Sequence, residues 1–256
     1  MAAENVHRIF RLGLFLAICC LIFIVSPPAQ ADTMTMCITD LNPTSNASCN
    51  AGDSVLLISN GTSFTTESKH GTATFGGGTS TNPDIVEFDG SVGAFTLNFD
   101  AGQVDSASDN ILDLSFAAGT KSGTSGSHTL WIEFNADGFT SGAPVDGSAG
   151  GTLSKNGKDV FTGCFTGSGI WCTTSGTVVG SDTFTINPFS GGFTSTTKAP
   201  SNPFGLGIEL ALTESGHAST TGDVNLIPTV PEPSGIMLLG AGLFLVAVLA
   251  KRKVVS

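Results

Sequence analysis

The chain has 256 residues, of which 40% are hydrophobic and 12% charged, with 33 glycines and no tyrosine. Acids outnumber bases 21 to 10, and residues 32–229 hold 19 of those acids against five lysines and no arginine, a net charge of −14. Such a body excludes nucleic acid as a partner, because neutralising phosphates takes Lys and Arg; it suits solubility and self-repulsion, or the holding of divalent cations.

The first 31 residues have the order of a signal peptide. Arg8 and Arg11 form a basic start, Leu12–Val25 is an apolar run, Ser26-Pro27-Pro28 breaks any helix, and Ala29-Gln30-Ala31 is a small-x-small cleavage site. As a helix the apolar run spans about 21 Å, short of the ~30 Å hydrocarbon core, which argues against an uncleaved anchor. Ile18 stands before Cys19 where a lipoprotein signal needs a small residue, so that reading is rejected.

Four cysteines follow: Cys37, Cys49, Cys164 and Cys172. An even count in an exported chain predicts disulfides. Four cysteines allow three connectivities, and the local one, Cys37–Cys49 with Cys164–Cys172, is the expectation. A zinc site is the rival, weakened by the lack of short paired spacing and of a nearby His.

The body reads as strands and turns. Apolar residues recur at every second position in Ser54–Asn60, Asp84–Asp89, Val92–Phe99, Asn110–Phe116, His128–Phe134, Asp159–Phe165, Gly176–Ile186 and Phe204–Thr213. Phe95, Leu97 and Phe99 share one face, as do Leu112, Leu114 and Phe116, and Leu130, Ile132 and Phe134. Turn-rich clusters separate the runs: Asp89-Gly90, Asp100-Ala101-Gly102, Asp137-Gly138, Asn156-Gly157 and Gly191-Gly192. No segment of the body shows a helical period. The expectation is an all-β, antiparallel, jelly-roll-like β-sandwich over 32–229, with Asn187–Pro203 a long loop and Ser215–Thr229 linker-like.

The body offers little chemistry. His70 and His128 form no metal-binding pattern, no nucleophile elbow occurs, and Gly151–Lys158 departs from a phosphate loop in spacing and in Asp159. Glu133, Asn135 and Asp137 place oxygen side chains at alternate positions before Gly138, like the start of a calcium loop. Calcium is therefore the one candidate cofactor. Asp105/Asp109/Asp113 and Asp84/Glu87/Asp89 are further acidic sets. Trp131 and Trp171 are the only tryptophans for stacking on sugar, and both suit core packing as well.

The C-terminus is the most specific segment. Val230, Pro231, Glu232 and Pro233 precede an uncharged run, Gly235–Ala250, and then the membrane stop Lys251, Arg252 and Lys253. The run covers about 24 Å as a helix, a marginal span that keeps the basic end cytoplasmic. These residues resemble the PEP-CTERM sorting domain, with a Lys-containing end where Arg-rich ends are common. The resemblance implies processing by an exosortase near Pro231-Glu232-Pro233, a Gram-negative host and an exopolysaccharide setting. The tail is also sometimes labelled as the C-terminal domain of ice-binding proteins, and an ice-binding role stays a lesser alternative, since Thr-x-Thr occurs only in scattered places such as Thr72/Thr74 and Thr183/Thr185. The expected organisation is a signal peptide (1–31), an exported domain (32–229) and a sorting tail with a transmembrane helix (230–256). The expected role is that of a non-enzymatic surface or matrix protein, membrane-tethered as a precursor. A calcium- or carbohydrate-binding module is the alternative, with a polysaccharide-active enzyme behind it.

Overall fold

The computed structural model describes residues 33–42, 49, 52–59, 64–70, 74–77, 85–106, 109–139, 144–166, 171–201, 203–228 and 242. The expected signal peptide and, apart from Gly242, the expected tail lie outside these residues. Among the described residues no helix is long and apolar enough to cross a membrane.

Alternating side chains make strands, and strands with one apolar face must stack in pairs of sheets. Three strands come first: β1 (Met34–Thr39), β2 (Ser54–Ser59) and β3 (Phe64–His70). A meander follows, of β4 (Thr74–Gly77), β5 (Ile85–Val92), β6 (Phe95–Ser106) and β7 (Asp109–Thr120). Then the chain shuttles between sheets through β8 (Ser127–Phe139), β9 (Val145–Leu153), β10 (Lys158–Phe165), β11 (Thr177–Phe184), β12 (Phe189–Thr194), β13 (Phe204–Ser215) and β14 (Ser219–Pro228). The first sheet runs β11-β10-β13-β8-β1-β2-β3 and the second β12-β9-β14-β7-β6-β5-β4. The pairings given for both sheets are antiparallel. The fold is an antiparallel β-sandwich, as the alternation predicts.

The core fills the space between the sheets. Phe95, Leu97, Phe99, Leu112, Leu114, Leu130, Ile132 and Phe134 are buried there, on the faces read from the sequence. Phe193 of β12 closes one side. A Cβ added at Gly147, Gly163 or Gly180 would run into its ring, so three glycines make the slot that receives it.

Several turns expected from composition are not turns. Asp89-Gly90, Asp100-Ala101-Gly102 and Gly191-Gly192 lie inside β5, β6 and β12. At Gly192 the absent Cβ lets β12 approach the Gly147 carbonyl, so the glycine serves close packing. Asp137-Gly138 forms a bulge in β8, with Phe139 opposite Phe204 and Ala136 opposite Leu206. Gly138 at φ 94° is the residue that tolerates it. Asn156-Gly157 does turn, with Asn156 at φ 67°, and Gly157 donates to the Ser154 carbonyl at 3.0 Å. It links the two sheets, however, and is no hairpin, since β9 and β10 belong to different sheets.

The expected loop Asn187–Pro203 contains β12, and the expected linker after Ser215 contains β14, which lies between β9 and β7. The inward face of β14 is Thr220, Gly222, Val224 and Leu226, half of it small or polar, which hid the strand. One helical turn, α1 (Cys172–Ser175), was not anticipated; four residues carry no readable period.

Candidate functional site

On the outward side of the first sheet, Cys37, Glu133 and Glu209 stand in one row. Cys37 pairs with Glu133 across β1 and β8, and Glu133 with Glu209 across β8 and β13. Outward residues of a sandwich normally meet water, but this patch is covered. The disulfide Cys37–Cys49, with Cα atoms 5.8 Å apart, holds Cys49 over it, and Cys164–Cys172, at 5.4 Å, holds α1 over it. The local pairing is the one the fold contains. Cys37, Cys49 and Trp171 form a small second core, with Leu56 and Trp131 packed against it. Trp171 thus neighbours one disulfide in sequence and packs on the other. Trp131 faces outward, but it is half-buried under this cover rather than open for stacking.

Beneath α1, Glu133 and Glu209 are 0% and 2% exposed. Glu133 accepts the Cys172 backbone N–H at 3.2 Å. Glu209 accepts the Thr173 N–H at 3.0 Å, and the Thr173 hydroxyl lies 2.9 Å from both of its oxygens. Burial, and next the charge of Glu209, push Glu133 well above the ordinary glutamate range. A hydrogen bond with Glu209 acts on Glu133 in the same direction, since two bare charges so placed would repel in a medium that screens poorly. The Cys172 sulfur near Glu133 is bound in a disulfide and has no proton to give. Glu133, Cys164 and Cys172 stand close enough for a metal, yet the disulfide removes both thiolates.

The calcium-loop residues lie along β8. Glu133 is buried under α1, Asn135 is half-buried, and Asp137 is exposed and accepts the Thr33 hydroxyl at 3.1 Å. Glu133 Oε1 and Asn135 Oδ1 both lie against Gly207 where a Cβ would stand, and Asp137 Oδ1 lies likewise against Gly205, so the three oxygens follow two alternate glycines of β13.

The outward face of the second sheet is open. Thr96, Asn98, Ser115, Ala117, Thr221, Asp223 and Asn225 line it, with no aromatic side chain among the described residues. Ser148 donates to Asn225 Oδ1 at 2.9 Å, and the Thr152 and Thr221 hydroxyls meet at 2.7 Å. A shallow groove of about 370 Å³ runs past Asp89, Thr96, Asn98, Ala117 and Thr221. Asp113 is pushed up to about 6 by burial, by the charge of Asp223 and by a hydrogen bond with it. Hydroxyl, amide and carboxyl groups on a flat face can hydrogen-bond a polyol. Of the acidic sets noted in the sequence, Glu87, Asp89 and Asp113 fall on this face. The sorting residues Val230, Pro231, Glu232 and Pro233 and the stop Lys251, Arg252 and Lys253 lie outside the described residues.

Sequence reasoning passed over Glu209, Glu214, Asp159 and Asp223. For Glu209 a signal existed: a lone carboxylate within the apolar run Phe204–Thr213.

Fold and patterning together define an all-β, two-sheet sandwich with disulfide-stapled cover and an appended C-terminal segment. Residues 229–253 match the model of the PEP-CTERM protein-sorting motif, so that segment is a sorting motif, and the match does not reach the sandwich. No curated protein matches the chain. Among solved structures, TmCBM61 in complex with β-1,4-galactotriose aligns at 8% identity, over 45% of this chain and 71% of its own, with a TM-score of 0.30. The N-terminal cellulose-binding domain of Cellulomonas fimi β-1,4-glucanase C aligns at 15% identity, over 45% and 79%, with a TM-score of 0.28. A carbohydrate-binding module of the β-sandwich superfamily aligns at 9% identity, over 79% and 99%, with a TM-score of 0.30.

Proposed function

We propose that the chain is an exported, non-enzymatic surface or matrix protein whose tail is the substrate of an exosortase. The match of residues 229–253 to a protein-sorting motif carries this reading. In it, residues 1–31 direct export, 32–229 form the delivered domain, and 230–256 anchor the precursor in the inner membrane of a Gram-negative cell until processing. Pro231, Glu232 and Pro233 are recognised by the processing enzyme; Lys251, Arg252 and Lys253 hold the tail's end inside. Two disulfides suit a destination outside the cytoplasm. The test expresses the chain with its sorting system, with and without Pro231→Ala/Glu232→Ala/Pro233→Ala. The wild-type chain should leave the membrane fraction with a new C-terminus by mass spectrometry, and the variant should stay as membrane-bound precursor. Identical location and terminus in both would refute the reading.

The delivered domain associates with exopolysaccharide, and the open polar face of the second sheet is the surface that suits it. Affinity electrophoresis in gels cast with the host polysaccharide should show retardation, lost in Asn98→Ala/Asp223→Ala. Equal mobility with and without polysaccharide would remove this part alone.

A further inference from the structure

At one end of the sandwich a second carboxylate pair points between the sheets. Asp159 lies in β10 on the same side as Phe161, and Glu214 in β13 on the same side as Leu210 and Leu212. They are 2% and 0% exposed. From the opposite sheet, Thr220 Oγ1 lies 2.6 Å from Asp159 Oδ2 and 3.0 Å from the Thr152 carbonyl oxygen. Asp159 Oδ1 and both carboxyl oxygens of Glu214 are buried with no hydrogen-bond partner. The Ser154–Gly157 turn closes over them, and a Cβ on Gly157 would come within 3.0 Å of Glu214 Oε2.

Three buried, unpartnered carboxylate oxygens, on two groups close enough for the charge of Asp159 to act on Glu214, form an unfavourable arrangement that something must offset. Among the described residues neither Asp159 nor Glu214 has a cationic partner. Lys155 and Lys158 are exposed, and His128, directly across the ladder from Glu214, has its Nε2 at 3.0 Å from the Ser125 carbonyl. One proton on the pair leaves a residual negative charge and unpartnered oxygens.

We propose that Asp159 and Glu214 form a calcium site that, through Thr220, ties the two sheets together at this end. The donors are hard oxygens, which favour calcium or magnesium over softer ions. Calcium accepts irregular sets of six to eight oxygens at about 2.3–2.6 Å, including bidentate carboxylates, hydroxyls and water. Magnesium needs near-ideal octahedral geometry, which two carboxylates fixed on neighbouring strands are poorly placed to give. Ion and proton compete: Asp159 and Glu214 are pushed up to about 6 and about 7, chiefly by burial, so the ion-free pair retains a proton near neutrality. Binding then ionises both carboxyls and releases that proton to solvent. The site is separate from Glu133, Asn135 and Asp137 and does not depend on the sorting role.

The test uses the full-length chain in detergent, stripped with a chelator and titrated with calcium chloride by calorimetry in two buffers of different ionisation enthalpy. One calcium should bind per chain with proton release near pH 7. The thermal midpoint should rise by about 5–10 °C at a hundredfold excess over Kd, and far less near pH 5. Glu214→Gln and Asp159→Asn should each weaken binding by at least about tenfold, while their midpoints in chelator match or exceed the wild type's, showing that they fold. Asp137→Ala should bind as the wild type does. The proposal falls if about 5 mM calcium produces neither heat nor a midpoint change. It falls equally if Glu214→Gln keeps full affinity, if Asp137→Ala abolishes binding, or if magnesium binds as tightly.

Discussion

A carboxylate's meaning depends on what faces it. Asp137 sits exposed on β8, while Glu133, four residues earlier, is closed off by α1 and faces Glu209. In the unfolded chain a glutamate titrates near 4.5, and in the fold Glu133 keeps its proton to much higher pH. Folding therefore takes up protons. This contribution is complete below the unfolded value and is lost as pH rises through the folded one. Glu133→Gln, a near-isostere that stays neutral and can still hydrogen-bond Glu209, should leave stability almost unchanged near pH 4. Near pH 8 it should raise stability by about 1–3 kcal/mol, the scale of one poorly satisfied buried polar group. Urea midpoints at the two pH values measure this; a variant less stable than wild type at pH 8 would mean that the ionised pair is favourable in the fold.

At the scale of elements, the disulfides work as fasteners for the cover. Cys37 and Cys164 are strand residues on the outward face, and Cys49 and Cys172 bring the cover down onto it. Among the described residues the 35 buried side chains of the inter-sheet core include none of the four cysteines. Both tryptophans of the chain lie in the covered cluster, so intrinsic tryptophan fluorescence reports on the cover and not on the inter-sheet core. Cys37→Ser/Cys49→Ser should shift the emission to the red and cost about 2–4 kcal/mol, with the β circular-dichroism signal retained at 25 °C. Unshifted emission would show that Trp171 is held by packing alone. At the other side of the sandwich, β12 depends on fit instead: Phe193 enters a slot that only glycines leave open.

For the whole molecule, the balance is acidic, and among the described residues no cation acts on Asp113, Glu133, Asp159 or Glu214. Asp113 and Asp159 are pushed up to about 6, mainly by burial, and Glu214 to about 7. Their ordinary values are 3.8 for Asp and 4.5 for Glu, so these groups weaken the fold as pH rises from about 4 through 7. Repulsion within a body of net charge −14 acts in the same direction. In chelator the thermal midpoint should be highest near pH 4 and about 4–8 °C lower near pH 8, equivalent to roughly 2 kcal/mol for a domain of this size. A midpoint that climbs between those values would show that the ionised pairs are compensated in the fold.

The sequence by itself determined what depends on short-range order. Alternation in Phe95–Phe99, Asn110–Phe116 and His128–Phe134 settles both strand and facing, because the pleat has a period of two whatever the strand pairs with. The sorting motif is linear and was legible residue by residue, with its match ending at 253. Pairing cysteines 12 and 8 positions apart needed no knowledge of the fold. Tertiary structure decided the rest. Whether Gly192 turns or packs depends on how near Gly147 comes, and whether Ser219–Pro228 is a linker or an inner strand depends on β7 and β9 being there to pair with it. Glu133 meets Glu209 across 76 positions of sequence, and Asp159 meets Thr220 across 61. Burial and proximity are sums over such distant partners, and no local pattern carries them.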